Sequence, residues 1–232
     1  MKKMIIIKPD ICRVFECNSY SFEKQYEVKK MLLNEIRMPV QKRSLDRFNQ
    51  VIDTAIFLLE TQDFRACTIL EISNISQVPR NHIYQYFPTI NHLFIIIVRN
   101  YFYKLMDIVQ FGHPKYLDWE VMDILREVVG KSCKFYNENR PASLLILGGP
   151  IDVDGFNLQE EVIQIISKNL AEVFTSKKNP IILNNENDIN YLIELIFAIM
   201  KHSYYKYQKI TEDLEKEALF VAEAYLFKKG YI

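Results

Sequence analysis

Glycine and proline are scarce, 6 and 8 in a chain of 232 residues. An all-β fold needs a turn every several residues, so the scarcity argues against one and for long helices. Cysteine is as sparse. Cys12, Cys17, Cys67 and Cys133 form no CxxC pair and have no histidine at ligand spacing, so neither a zinc site nor a disulfide framework is expected. Free thiols in a reducing compartment fit this pattern. Charge of one sign is also missing, with 29 Lys+Arg against 29 Asp+Glu, so a polyanion must be met by local clusters. Residues 1–87 lean basic, 13 to 10, and the remainder acidic, 19 to 16. Long apolar runs are absent. No stretch approaches the ~20 residues of a membrane span. Met4-Ile5-Ile6-Ile7, ended by Lys8-Pro9-Asp10, is shorter than the ~7–15 residues of a signal-peptide core, so a cytoplasmic protein is expected. Catalytic signatures are missing too. There is no GxSxG, no Gly-rich phosphate loop, and Asp152-Val153-Asp154-Gly155 lacks the other ligands of a calcium loop and reads as a turn. No enzyme, metal or cofactor is expected.

What is present is helical periodicity. Residues 1–42 read as an appendage, with a mixed-charge helix at 21–37 stopped by Pro39. From Ser44, a candidate N-cap, Phe48, Val51, Ile52, Ala55, Ile56 and Leu59 recur in steps of three and four. Thr68 then caps a short helix that should carry Ile69, Ile72 and Ile75 inward, with Glu71 completing a capping-box spacing. Pro79 opens a second short helix through Ile83 to Phe87. Further helices are expected at 89–110, 117–137, 141–147, 156–175, 188–207 and 211–229, and no segment alternates with period two. The chain is expected to be all-α.

Two short helices about four residues apart have helix-turn-helix spacing, in which the second helix lies in the major groove of DNA. Ile72, Val78, Ile83 and Phe87 would fix the angle between them, with the small Ser73 at their contact. The second helix then turns outward Arg80, Asn81, His82 and Gln85 as candidate base readers, because amide and guanidinium groups match base edges. Tyr84 is a candidate phosphate donor, and Tyr86 is open between contact and burial. Thr68, at a helix N-terminus, suits a phosphate, and Lys42, Arg43 and Arg47 form a basic cluster that would position the domain on the backbone.

These residues carry a resemblance. Arg43, the apolar helix Phe48–Leu59, Thr68-Ile69-Leu70-Glu71-Ile72-Ser73, Ile83-Tyr84-Gln85-Tyr86-Phe87 and the following Leu93-Phe94 together resemble the DNA-binding domain of TetR-family bacterial transcriptional regulators. Gln77 stands where the family usually has the turn glycine. It must tolerate the turn's backbone, or the turn must differ slightly. Pro79 replaces the common Ser or Thr cap, and Ile90 a phosphate-binding Lys. The resemblance implies an N-terminal three-helix helix-turn-helix domain plus a larger C-terminal helical ligand-binding and dimerisation domain. The expected boundaries are 1–42 for an extension, 43–88 for DNA binding and 89–232 for regulation.

It further implies a homodimer, formed through the last two helices, that binds a palindromic double-stranded DNA operator as a ligand-responsive repressor. Ile189, Leu192, Ile193, Ile196, Ile199, Met200 and Tyr207 make one stripe for that interface, and Leu214, Ala218, Val221, Ala222, Tyr225 and Leu226 the other. A small, partly apolar effector would be met by some of His113, Trp119, Phe135, Tyr136 and His202. Two other readings stay open. One is the same scaffold binding DNA or a protein without an effector. The other is a helical enzyme or lipid carrier.

Overall fold

The computed structural model describes residues 39–62, 64–148 and 153–232, and no side chains at 153–158 and 161. The expected helix at 21–37 lies outside the described residues, as does most of the expected extension. No strand occurs among the described residues, and the fold is all-α.

Helix α1 (Lys42–Thr61) buries Phe48, Val51, Ile52, Ala55 and Leu59 of the stripe read from the sequence, while Ile56 is half-buried and Leu58, outside that stripe, is buried too. It begins two residues before the expected Ser44 cap. The Ser44 and Leu45 N–H groups both donate to the Gln41 carbonyl at 2.9 Å, so Ser44 lies inside the first turn and Gln41 holds the cap position. A 3-10 turn (Phe64–Ala66) leads to α2 (Ile69–Ser76), where the Glu71 N–H donates to the Thr68 hydroxyl oxygen at 3.2 Å. Ile69 and Ile72 point inward as expected, but Ile75 is 42% exposed. The inward step of four from Ile72 falls on Ser76, whose carbonyl accepts from Gln50 at 2.7 Å.

Helix α3 (Arg80–Tyr86) follows a turn centred on Gln77, and α4 (Ile90–Val109) runs from Thr89 into the body with Leu93, Phe94, Ile97, Val98, Tyr101, Phe102 and Leu105 buried. After a 3-10 turn (Pro114–Leu117) comes α5 (Val121–Glu138). It starts four residues later than expected because Leu117 belongs to the Pro114 turn, its carbonyl held by the Lys178 N–H at 3.1 Å. Helix α6 (Arg140–Ala142) passes into a π-helical turn, Ser143–Leu147. Helix α7 (Val153–Ser176) takes residues 153–155 into its first turn, where a turn was expected. At its far end Lys177 is buried, while Lys178 is exposed and pairs with Asp118.

Helices α8 (Asp188–Tyr207) and α9 (Glu212–Lys229) close the body as an antiparallel pair. Asp188, with no exposed surface, ties the start of α8 to the end of α9. Its carboxylate accepts from Lys229 at 2.7 Å, Tyr231 at 2.7 Å and Tyr225 at 3.2 Å. Three donors satisfy a carboxylate that burial alone would leave costly. No helix among the described residues is long and apolar enough to cross a membrane.

Candidate nucleic-acid interface

The turn between α2 and α3 is set by three polar contacts. Gln77 takes the left-handed conformation, φ 58°, that glycine commonly fills, so the turn keeps its shape at a backbone cost. Its side-chain amide donates to the Asn74 carbonyl at 2.5 Å. Ser73 sits at the contact as expected, its hydroxyl donating to the Val78 carbonyl at 2.8 Å, and the Val78 N–H donates to the Ser76 hydroxyl oxygen at 3.2 Å. Pro79 stands at the cap position, one residue earlier than a first-turn proline, and its carbonyl accepts from His82 at 2.9 Å and Ile83 at 3.2 Å.

Helix α3 is held by one face. Ile83 and Phe87 are fully buried; Phe87 stacks on Phe48 of α1 with ring centroids 4.9 Å apart, and Tyr86 meets the same ring edge-on at 5.7 Å. Burial therefore decides the open question for Tyr86. The opposite face is polar. Arg80, Asn81 and Gln85 are exposed, Tyr84 is 51% exposed, and half-buried His82 contacts Gln85 through Nδ1 and Oε1 at 3.2 Å. Because Phe48 binds the end of α3, the first turns of α1 are brought beside it. Lys42 and Arg43 are exposed there, and Arg47, one turn on from Arg43, is half-buried. Thr68 is exposed at the start of α2, its oxygen engaged with the Glu71 N–H and its own hydrogen free to donate. The start of α4 adds a group that sequence reasoning passed over. The Thr89 hydroxyl and His92 Nδ1 are 2.8 Å apart next to the first turn of α4, while Ile90 packs against the core. The signal for these residues is their place three to six positions after α3.

The residues proposed for an effector do not share one environment. His113 is exposed and caps the Pro114 turn, accepting the Lys115 N–H at 3.1 Å. Trp119 is half-buried beside that turn, edge-on to Tyr116 at 5.7 Å with the Lys115 ammonium 5.0 Å from its ring centre. That lysine also pairs with Glu127, which accepts from Lys131 at 2.8 Å as well; burial raises the Glu127 carboxyl, but these two bonds outweigh it and hold it at about 2. Phe135 and Tyr136 are in the core, where Tyr136 meets Phe197 edge-on at 6.2 Å. The Tyr136 hydroxyl has no hydrogen-bond partner, and burial pushes its pKa well up. His202 is exposed on α8. Cys67 and Cys133 are buried free thiols, each pushed up by burial to about 12 and so inert as nucleophiles.

The stripes expected to join two copies are largely used within one chain. Ile189, Leu192, Ile193, Ile196 and Met200 of α8 are buried, as are Ala218, Ala222 and Leu226 of α9. Other apolar residues face outward from the same helices. Tyr191, Leu195 and Tyr205 lie along α8 with the exposed Ala198, and Phe220 and Phe227 along α9 with Ala224. Phe227 is 71% exposed.

A helix-turn-helix unit joined by a long connecting helix to an all-helical body defines a two-part helix-turn-helix protein. More narrowly, the fold is TetR-like. The chain is similar to a TetR-family transcriptional regulator from Streptomyces coelicolor, with 21% identity, 80% of this chain and 82% of that one covered, and a TM-score of 0.60. It is similar also to a TetR transcriptional regulator from Rhodococcus sp. RHA1, at 15% identity, 80% and 97% coverage, and a TM-score of 0.56. No protein-family model matches the sequence, and comparison with curated proteins finds no match.

Proposed function

We propose that this protein is a DNA-binding transcriptional regulator, acting as a ligand-responsive repressor on a palindromic operator. The observation that carries this reading is the division of α3: Tyr86 and Phe87 lock it to Phe48, Ile83 is buried, and Arg80, Asn81, Tyr84 and Gln85 stand outward. In the reading, α3 enters the major groove, where Arg80, Asn81, His82 and Gln85 meet base edges. Tyr84, Thr68, Lys42, Arg43 and Arg47 contact the phosphate backbone, with Thr89 and His92 adding donors from the start of α4. The two neighbours, both transcriptional regulators by name, support it.

Two copies join through the outward residues of α8 and α9, Tyr191, Leu195 and Tyr205 with Phe220 and Phe227, an apolar surface of the kind that marks an interface. Residues 43–88 then form the DNA-binding unit, and 89–232 the regulatory and dimerisation unit. A twofold axis would set two α3 helices about 34–36 Å apart or at a related spacing. Hydroxyl-radical footprinting on DNA upstream of the gene tests this. Protection in two symmetric blocks supports the reading, and protection without symmetry, or none, goes against it.

A second reading keeps the DNA contacts and removes the effector. It draws on the burial of Phe135 and Tyr136, which pack against each other and leave little surface for a ligand. A thermal-shift screen of small, partly apolar compounds separates the two. A dose-dependent rise in melting temperature favours the first.

A further inference from the structure

Helix α1 meets its Phe57 and Leu58 carbonyls locally, through the Thr61 hydroxyl at 2.7 Å and the Gln62 N–H at 2.8 Å. Its last turn holds no basic residue, and Gln62 leaves it in an extended conformation. The last carbonyls of a helix lack intrahelical partners and carry partial negative charge, which a cation satisfies well. Here the cation comes from the helical body. The Arg140 guanidinium donates to the Leu59 carbonyl in a close contact and to the Gln62 carbonyl at 2.8 Å, spanning about eighty residues of sequence.

Arg140 itself is held from behind. Asn139 donates to the Phe135 carbonyl at 2.8 Å, and the Ser143 hydroxyl donates to the Tyr136 carbonyl, so the start of α6 is fastened to the end of α5. The π-helical turn that follows ends at Gly148, packed against α8 so closely that a Cβ there would stand 2.5 Å from the Tyr204 ring. Burial raises the Tyr204 phenol while the charge of Arg140 lowers it, which places the two within electrostatic reach. Tyr204 adjoins Tyr205 on the outward face of α8. Residues 140–148 thus touch the helix-turn-helix unit at one end and the outer helix pair at the other, and π-turns inside helices are frequent at functional sites.

We propose that Arg140 is a positioning residue: it clamps the C-terminus of α1 to the body and fixes how the helix-turn-helix unit is oriented for DNA. As a route by which the body governs DNA binding, this rests on the regulator reading above; as a mechanical contact it does not. The test has one arm without DNA. Spin labels are placed at Gln85→Cys on α3 and Lys134→Cys on α5, both exposed, with Cys12 and Cys17 changed to Ser and the labelled chain diluted into unlabelled protein. The distance distribution is expected to broaden about twofold in Arg140→Ala and to narrow again in Arg140→Lys, whose ammonium can still meet the carbonyls. Should Arg140→Ala fail to fold, Arg140→Gln takes its place, with helical content checked by circular dichroism. An unchanged distribution in a folded variant overturns the proposal.

The second arm varies the spacing between two half-sites. The native protein should prefer one spacing. Arg140→Ala should lose that preference and yet bind a single half-site as before, which a general loss of stability would not produce. Broadening together with no preference of the native protein for any duplex would leave the clamp standing and reject the regulator reading. Broadening with an intact spacing preference would overturn its role in DNA binding.

Discussion

Arg80 and Tyr84 separate the two proposed kinds of DNA contact most cleanly, because both stand on the outward face of α3. Arg80→Ala is expected to cost about 1–3 kcal/mol of operator affinity and to relax base preference at one position. Tyr84→Ala should weaken binding evenly across sequences. Anisotropy titrations measure both, and circular dichroism should show unchanged helix content. Asp188 gives a residue-scale prediction of another kind. The Lys229 bond, with help from Tyr231 and Tyr225 and against burial, holds its carboxyl below the usual carboxylate value. A depressed folded-state pKa means that this stabilisation is complete above about pH 4 and is lost as pH falls through the lower, folded-state value. Asp188→Asn should therefore lower the melting temperature at pH 7 and flatten its decline in acid, measured as a difference from the native protein.

The turn between α2 and α3 is the element whose cost can be read directly. Gln77 adopts φ 58°, which costs a side-chain-bearing residue roughly 1–2 kcal/mol relative to glycine. Gln77→Gly should therefore stabilise the protein by about 1 kcal/mol in urea unfolding, less whatever the lost bond to Asn74 contributed. That departure from the family pattern was legible in the sequence, and so were the helices around it, because Phe48 to Leu59 and Leu93 to Leu105 repeat at helical spacing without a break. Other features were not. Ser44 has the chemistry of a cap, but nothing in its neighbours shows that the helix closes earlier on Gln41. Ile75 is as apolar as Ile72, and only the step to buried Ser76 shows which of them faces inward. In α8 and α9 apolar residues occur on both faces, so periodicity cannot tell the side packed within the chain from the side left outward. Arg140 was illegible for a related reason, since its partners are backbone carbonyls far away in sequence.

At the scale of the whole molecule, the proposed dimer and the proposed DNA contact depend on each other. Replacing Leu195 or Phe220 with Glu puts a charge on the outward face without touching the buried one. Either change is expected to shift the protein from dimer to monomer by light scattering, with helix content intact, and to reduce operator binding to the level of one half-site. A dimer that persists in both variants would place the interface elsewhere. The basic groups around α3 are few, so phosphate neutralisation should be modest and the salt dependence of binding shallow. The most direct measurement is a fluorescence anisotropy titration of the native protein against DNA from upstream of its own gene, with random duplex as competitor at moderate salt. The predicted result is tight binding to the upstream duplex that survives a large excess of random DNA and is lost in the Arg80→Ala, Tyr84→Ala double variant. Equal affinity for both duplexes, or binding unaffected by the double variant, would contradict the assignment of α3 as the element that reads DNA.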